Sequence, residues 1–293
     1  MLIRHKIILS LLARAGKPLS HTVFMKLMFL LRHETELEKD RTFYDFVPYR
    51  FGPFSFALYW ELGSLRQNGY VTPEEDRIAL RHRTRGLAAN KTQELPAFVN
   101  EAVASVVERY GRLSQRALVR DVYARYPWYA INSELPEGRG ASATRPQKVS
   151  PAVYTAGYEG KSVDAFFNEL LRQGIEVVID VRANPVSRKY GFSRKTFSDI
   201  ARKLGLEYRH VPSLGIPSNA RVNLNGYASY QRLLKRYENK MLPRLNGEIG
   251  EVAQLMRERP AVLVCVEKDV RCCHRSRLAD AVSRENHLKV IHL

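Results

Sequence analysis

AVLVCVEKDVRCCHRSRLADAVSREN, residues 261–286, contains the change of period that decides the fold of its half of the chain. The first seven residues are almost continuously apolar, as in a strand buried on both faces. A charged loop follows, and from Arg275 to Asn286 apolar side chains return at helical spacing. The same alternation runs outward on both sides. Upstream, helices are expected at 246–258, 226–239, 195–204 and 162–173. Strands are expected at LEYRHVP (206–212), IEVVIDV (175–181) and AVYTAGY (152–158), and downstream at LKVIHL (288–293). Strands alternating with helices predict an α/β domain with a mostly parallel sheet and helices on both faces.

Residues 135–150, LPEGRGASATRPQKVS, are rich in Pro, Gly, Ser and charge and have no apolar period. They read as a linker between a region 1–134 and the α/β domain 151–293. In the first region helical spacing covers 3–15 and 21–33, with Gly16-Lys17-Pro18 ending one helix and Ser20 placed to cap the next. The aromatic run 43–51 suits a strand, Gly52-Pro53 a turn, and 54–68 a third helix with Pro53 in its first turn. Tyr70-Val71 and Ile78-Ala79-Leu80 then suit a two-stranded wing, followed by helices at 95–110 and 114–126. This mainly α order of helix, helix, helix and hairpin is that of a winged helix.

Composition narrows the possible functions. No run approaches the roughly 18 apolar residues needed to span a bilayer, and the start Met1–Lys6 leads into no unbroken apolar core, so cytoplasmic residence is expected. Three cysteines between Cys265 and Cys273 cannot be a disulfide framework and point to local chemistry. The net charge is +17, with +8 on residues 1–150 and +9 on 151–293. A basic excess shared by both halves favours a polyanionic partner, and DNA is the one expected. Arg66, Gln67, Arg77, Arg81, Arg83 and Arg85 lie where a winged helix meets its target. A protein partner for this region is the alternative.

Ligands of parallel sheets bind beyond the carboxyl ends of the strands. In this chain those ends carry Tyr158 and Glu159, then Asp180, Arg182, Asn184 and Arg188, then His210, and finally Cys265, Glu267, Cys273, His274 and Arg275. Asp180 beside Arg182 reads as a carboxylate base or substrate ligand, or else as a structural ion pair. Arg182 and Arg188 suit phosphate. Glu159 reads equally as a functional carboxylate and as a cap for a helix starting near Ser162. Cys265 and Glu267 alternate on one strand and should face one side. Cys273, His274 and Arg275 lie at a helix start, where N–H groups and a guanidinium suit an anion and would lower a thiol's pKa.

The four stretches YTAGYEGKS (154–162), DVRANPVSRKYGFS (180–193), YRHVPSLG (208–215) and CVEKDVRCCHRSRLA (265–279) resemble the family catalogued as domain of unknown function 488. The resemblance spans nearly all of 152–293 and implies a fold class without a reaction. Ile216 stands where many members have a second glycine. Less specifically, residues 5–82 resemble winged-helix-like modules of antitoxin and regulatory proteins, on Tyr49, Gly52 and Pro53.

Three chemistries compete for the strand-end residues. One is a Cys nucleophile paired with His274. The second, favoured, is hydrolysis in which Glu267, Asp180 or Glu159 activates water while arginines hold phosphate. Zinc on the thiols and His274 is the weakest, because adjacent Cys272-Cys273 is awkward and no C-x-x-C pair exists. No cofactor or metal is therefore expected. Asp180, Arg182, Glu267, His274 and Arg275 are expected to share one pocket, with Arg275 holding Glu267 ionised. The resulting expectation is a DNA-binding hydrolase acting by base excision or cleavage of abnormal DNA, in repair or defence. The alternative is a non-enzymatic regulator or antitoxin-like protein that senses a small anionic ligand, and a redox role for the thiols is a third.

Overall fold

A computed structural model describes residues 1–72, 76–82, 86, 90, 94–138, 149–222, 224 and 226–293. The chain divides into two compact units, Met1–Arg145 and Pro146–Leu293.

The first unit is mostly helical, with α1 (Ile3–Ala15), α2 (His21–Glu34), α3 (Phe56–Gln67), α4 (Ala97–Tyr110) and α5 (Gln115–Arg125). Gly16 ends α1 at φ +64°, and the Ser20 side chain accepts from Val23 N to cap α2. Between α1 and α2 lies β1 (Leu19–Ser20), which pairs antiparallel with β4 (Arg77–Ile78). Val71 and Leu80 form an antiparallel bridge, so the expected wing strands do meet.

The aromatic segment differs from its expected reading. It forms a hairpin of β2 (Val47–Tyr49) and β3 (Gly52–Phe54), and Pro53 sits in β3 opposite Pro48. The helix starts only at Phe56, capped by Ser55. Gly52, at φ +95°, makes the turn possible, and a Cβ there would lie 2.6 Å from the Tyr123 ring. Buried Lys26 braces the same turn by donating from Nζ to the Phe51 carbonyl at 2.5 Å. Phe43, Tyr44, Phe46 and Phe56 are buried, so these rings serve the core.

The second unit is a five-stranded parallel sheet in the order β7-β6-β8-β5-β9. Its strands are β5 (Val153–Gly157), β6 (Val177–Asp180), β7 (Glu207–His210), β8 (Ala261–Cys265) and β9 (Val290–His292). The helices are α6 (Val163–Arg172), α7 (Arg194–Lys203), α8 (Tyr227–Arg236), α9 (Asn246–Glu258) and α10 (His274–Asn286). Phe166 and Phe167 of α6 pack on Phe192 and on Phe197 of α7, and Phe197 packs on Tyr208. The other face buries Val177, Ile179, Leu263 and Cys265 with Met256 of α9 and Leu278 of α10. The chain leaves β5 towards β6 and leaves β8 in the opposite direction towards β9. A reversal between the adjacent strands β5 and β8 marks the edge at which parallel sheets take ligands. No helix among the described residues is long and apolar enough to cross a membrane.

Candidate functional site

Two hydrogen-bonded networks occupy the carboxyl edge, on opposite faces of the sheet. Register separates them. Asp180 pairs with Val264 and Gly157 with Cys265. Residues in register on neighbouring strands share a face and successive residues alternate, so Asp180 and Cys265 point opposite ways.

On the first face Arg182 forks onto Asp180, with Nε at 2.8 Å from Oδ1 and Nη2 at 2.6 Å from Oδ2. Its Nη1 donates to Tyr158 Oη at 3.0 Å and to the Phe192 carbonyl at 2.7 Å. Tyr208 donates from its hydroxyl to Asp180 Oδ2 at 2.8 Å. The side chains are 0% (Asp180) and 4% (Arg182) exposed, and Tyr158 stacks on Phe192. Both carboxylate oxygens and all but one of the guanidinium N–H groups are therefore occupied. The geometry is that of a buried ion pair, one of the two readings the sequence offered for Asp180. His210 donates from Nε2 to the Arg182 carbonyl at 2.9 Å, which fixes the strand end. Asn184 and Arg188 lie exposed in the loop beyond it.

The second face carries Cys265, Glu267, Cys273 and His274, with Arg221, which sequence reasoning missed. Cys265 Sγ lies 3.3 Å from Glu267 Oε2 and 3.5 Å from His274 Nδ1. Arg221 donates from Nη1 to Glu267 Oε1 at 2.8 Å. His274 Nε2 lies 3.1 Å from the Val181 carbonyl. A carbonyl only accepts, so Nε2 carries the proton and Nδ1 accepts from Arg221 Nη2 at 3.4 Å while also facing Cys265 Sγ. Cys265, Cys273 and His274 are buried, whereas the Glu267 and Arg221 side chains are 17% and 28% exposed and form the mouth. Burial alone would raise the Glu267 pKa. A hydrogen bond from Cys273 and the charge of Arg221 outweigh it and bring the carboxyl to about 2.

The expected single pocket is therefore corrected in three respects. Asp180 and Arg182 face away from Glu267 and His274. The partner of Glu267 is Arg221, because Arg275 turns inward and donates to the backbone carbonyls of Glu267 and Lys268. The Cys273 thiol is not acidified by the helix start, since burial pushes its pKa well up. Glu159 caps no helix: its carboxylate accepts from Lys268 N at 2.9 Å and braces the loop after β8, while Ser162 caps α6. That loop crosses β5 so closely that a Cβ on Gly157 would lie 2.0 Å from the Glu267 carbonyl oxygen, which only glycine permits.

In the first unit, Arg66 at the end of α3 contacts His21 through Nη2 and Nε2 at 3.0 Å. Gln67, Arg77 and Arg81 are exposed. Arg83 and Arg85 lie outside the described residues.

Residues 162–282 match the family model described as Domain of unknown function DUF488. The matched segment includes the Cys265 network and all of the Asp180 network but Tyr158; Glu159 also lies outside it. No curated protein and no solved structure matches the chain.

Proposed function

We propose that this protein binds DNA and that its second unit hydrolyses a bond within it, removing or cleaving an abnormal nucleotide. The observation that carries the reading is the part-exposed Glu267–Arg221 pair, set over buried Cys265 and His274 at the strand-end edge where parallel sheets take ligands. The guanidinium of Arg221 suits a phosphate oxygen. A carboxyl at about 2 is a weak proton acceptor at neutral pH. Glu267 is better suited to orient water and to stabilise positive charge developing on a sugar. That favours excision of a base, through an oxocarbenium-like transition state, from a nucleotide turned out of the stack.

In this reading the first unit is a winged-helix-like module that holds DNA through α3 and the segment after it, with Arg66, Gln67, Arg77 and Arg81 as contacts. The charge of +17 supports binding led by phosphates.

The test uses the full chain with oligonucleotides carrying modified bases or mismatches, scored for abasic sites and strand breaks. Glu267→Gln should keep DNA affinity and lose turnover. Affinity should fall steeply with salt. Turnover unchanged in Glu267→Gln would overturn this assignment. Binding without turnover on any substrate would instead support a ligand-sensing regulator.

A further inference from the structure

Among the described residues, Cys265 Sγ, Cys273 Sγ and a nitrogen of His274 lie within 4.8 Å of one another. All three residues are buried. The sequence argument against zinc rested on the adjacent pair Cys272-Cys273 and on the lack of a C-x-x-C pair. Cys272 ends a short 3-10 turn and stays outside the group, and the thiols that meet come from β8 and the start of α10.

We propose that Cys265, Cys273 and His274 bind one thiophilic divalent cation, Zn2+ by donor set, with a fourth position for water beside Glu267. Geometry supports this first. Zn–S near 2.3 Å and Zn–N near 2.0–2.1 Å at a tetrahedral angle require an S···N separation of about 3.5–3.6 Å. Cys265 Sγ and His274 Nδ1 are 3.5 Å apart. The tautomer agrees: Nε2 donates to the Val181 carbonyl, leaving Nδ1 as the ligand atom, oriented as zinc-bound histidines are by their outer partners; the cation would replace Arg221 Nη2, which lies 3.4 Å from Nδ1. Charge agrees as well. Binding releases both thiol protons to solvent, and two thiolates with the Glu267 carboxylate then balance Zn2+ with the Arg221 guanidinium. A buried cluster with no net charge avoids the cost of an uncompensated ion.

The cation would also supply chemistry at this edge, since zinc brings bound water to a pKa near 7. Glu267, 3.3 Å from one ligand sulfur, stands where it would orient that water. This role for the water rests on the hydrolytic reading above; the binding of the cation does not.

The full chain, purified without chelators, should contain one zinc per chain by elemental analysis. After stripping and reloading with Co2+ it should show a thiolate-to-cobalt charge-transfer band and the intense visible bands of a four-coordinate centre. Cys272→Ser should retain these bands, and Cys265→Ser and His274→Ala should lose or weaken them. If those two variants fail to fold, wild-type stoichiometry and Cys272→Ser still decide. A wild-type chain that takes up neither Zn2+ nor Co2+, or loss of the bands in Cys272→Ser, overturns the proposal. Turnover by metal-free protein would refute the role given to metal-bound water and spare the hydrolase; a metal centre on a chain with no turnover would uphold the cation and refute the hydrolase.

Discussion

Asp180 and Cys265 end neighbouring strands one register step apart, yet they belong to networks of opposite character. Around Asp180 the groups close on one another: a bidentate arginine, two tyrosine hydroxyls and a backbone carbonyl leave almost no donor or acceptor for a ligand. Around Cys265 the set reaches the surface. Arg221 donates to both Glu267 and His274 Nδ1 over two thiols, and this arginine and carboxylate are part-exposed. Richness in ionisable residues therefore does not distinguish a site from a brace. What distinguishes them is access: the Asp180 pair is sealed, whereas the Arg221–Glu267 pair is part-exposed, and for that reason the proposed chemistry is assigned to the Cys265 face.

The largest expected effect tests the brace. Arg182→Met leaves the Asp180 carboxylate buried and short of its main partner, which should cost about 3–5 kcal/mol in urea unfolding. A cost below about 1 kcal/mol with loss of activity would invert the comparison. Acid titration comes next. The folded pKa of Glu267, about 2, lies below its ordinary 4.5, so the unfolded chain binds the proton first. Its contribution is full above pH 4.5 and disappears as pH falls towards 2, on the order of 2–3 kcal/mol. Urea midpoints of Glu267→Gln should be flatter across that window, and an unchanged acid slope would remove the carboxylate from the account. Gly157→Ala, which drives a Cβ against the Glu267 carbonyl, should destabilise by about 1–3 kcal/mol. It should also impair turnover while leaving the Asp180 brace intact. A fully active Gly157→Ala protein would show that the position of that loop does not matter.

Much of this was legible in the sequence. Each strand and helix of the α/β unit announced itself by period, and alternation within 261–267 placed Cys265 and Glu267 together. Sequence could not give the register between β6 and β8, and one residue of register decides which face a side chain occupies. Arg221 was hidden for another reason: it lies in a loop without period and reaches Glu267 across 46 residues. Arg275, beside His274 in sequence, looked like the natural partner, but it turns inward to the backbone. In the first unit Pro48 lay inside the expected strand 43–51 and Pro53 read as a turn residue and helix start, so the β2–β3 hairpin was seen as one strand and a helix start.

The most direct test of the central claim is a crystal structure of the full chain with a short bound oligonucleotide. The account predicts a phosphate on the Arg221 guanidinium and a sugar against Glu267, with Arg182 still forked on Asp180. A phosphate bound by Arg182, with the Asp180 pair opened to receive it, would contradict the account.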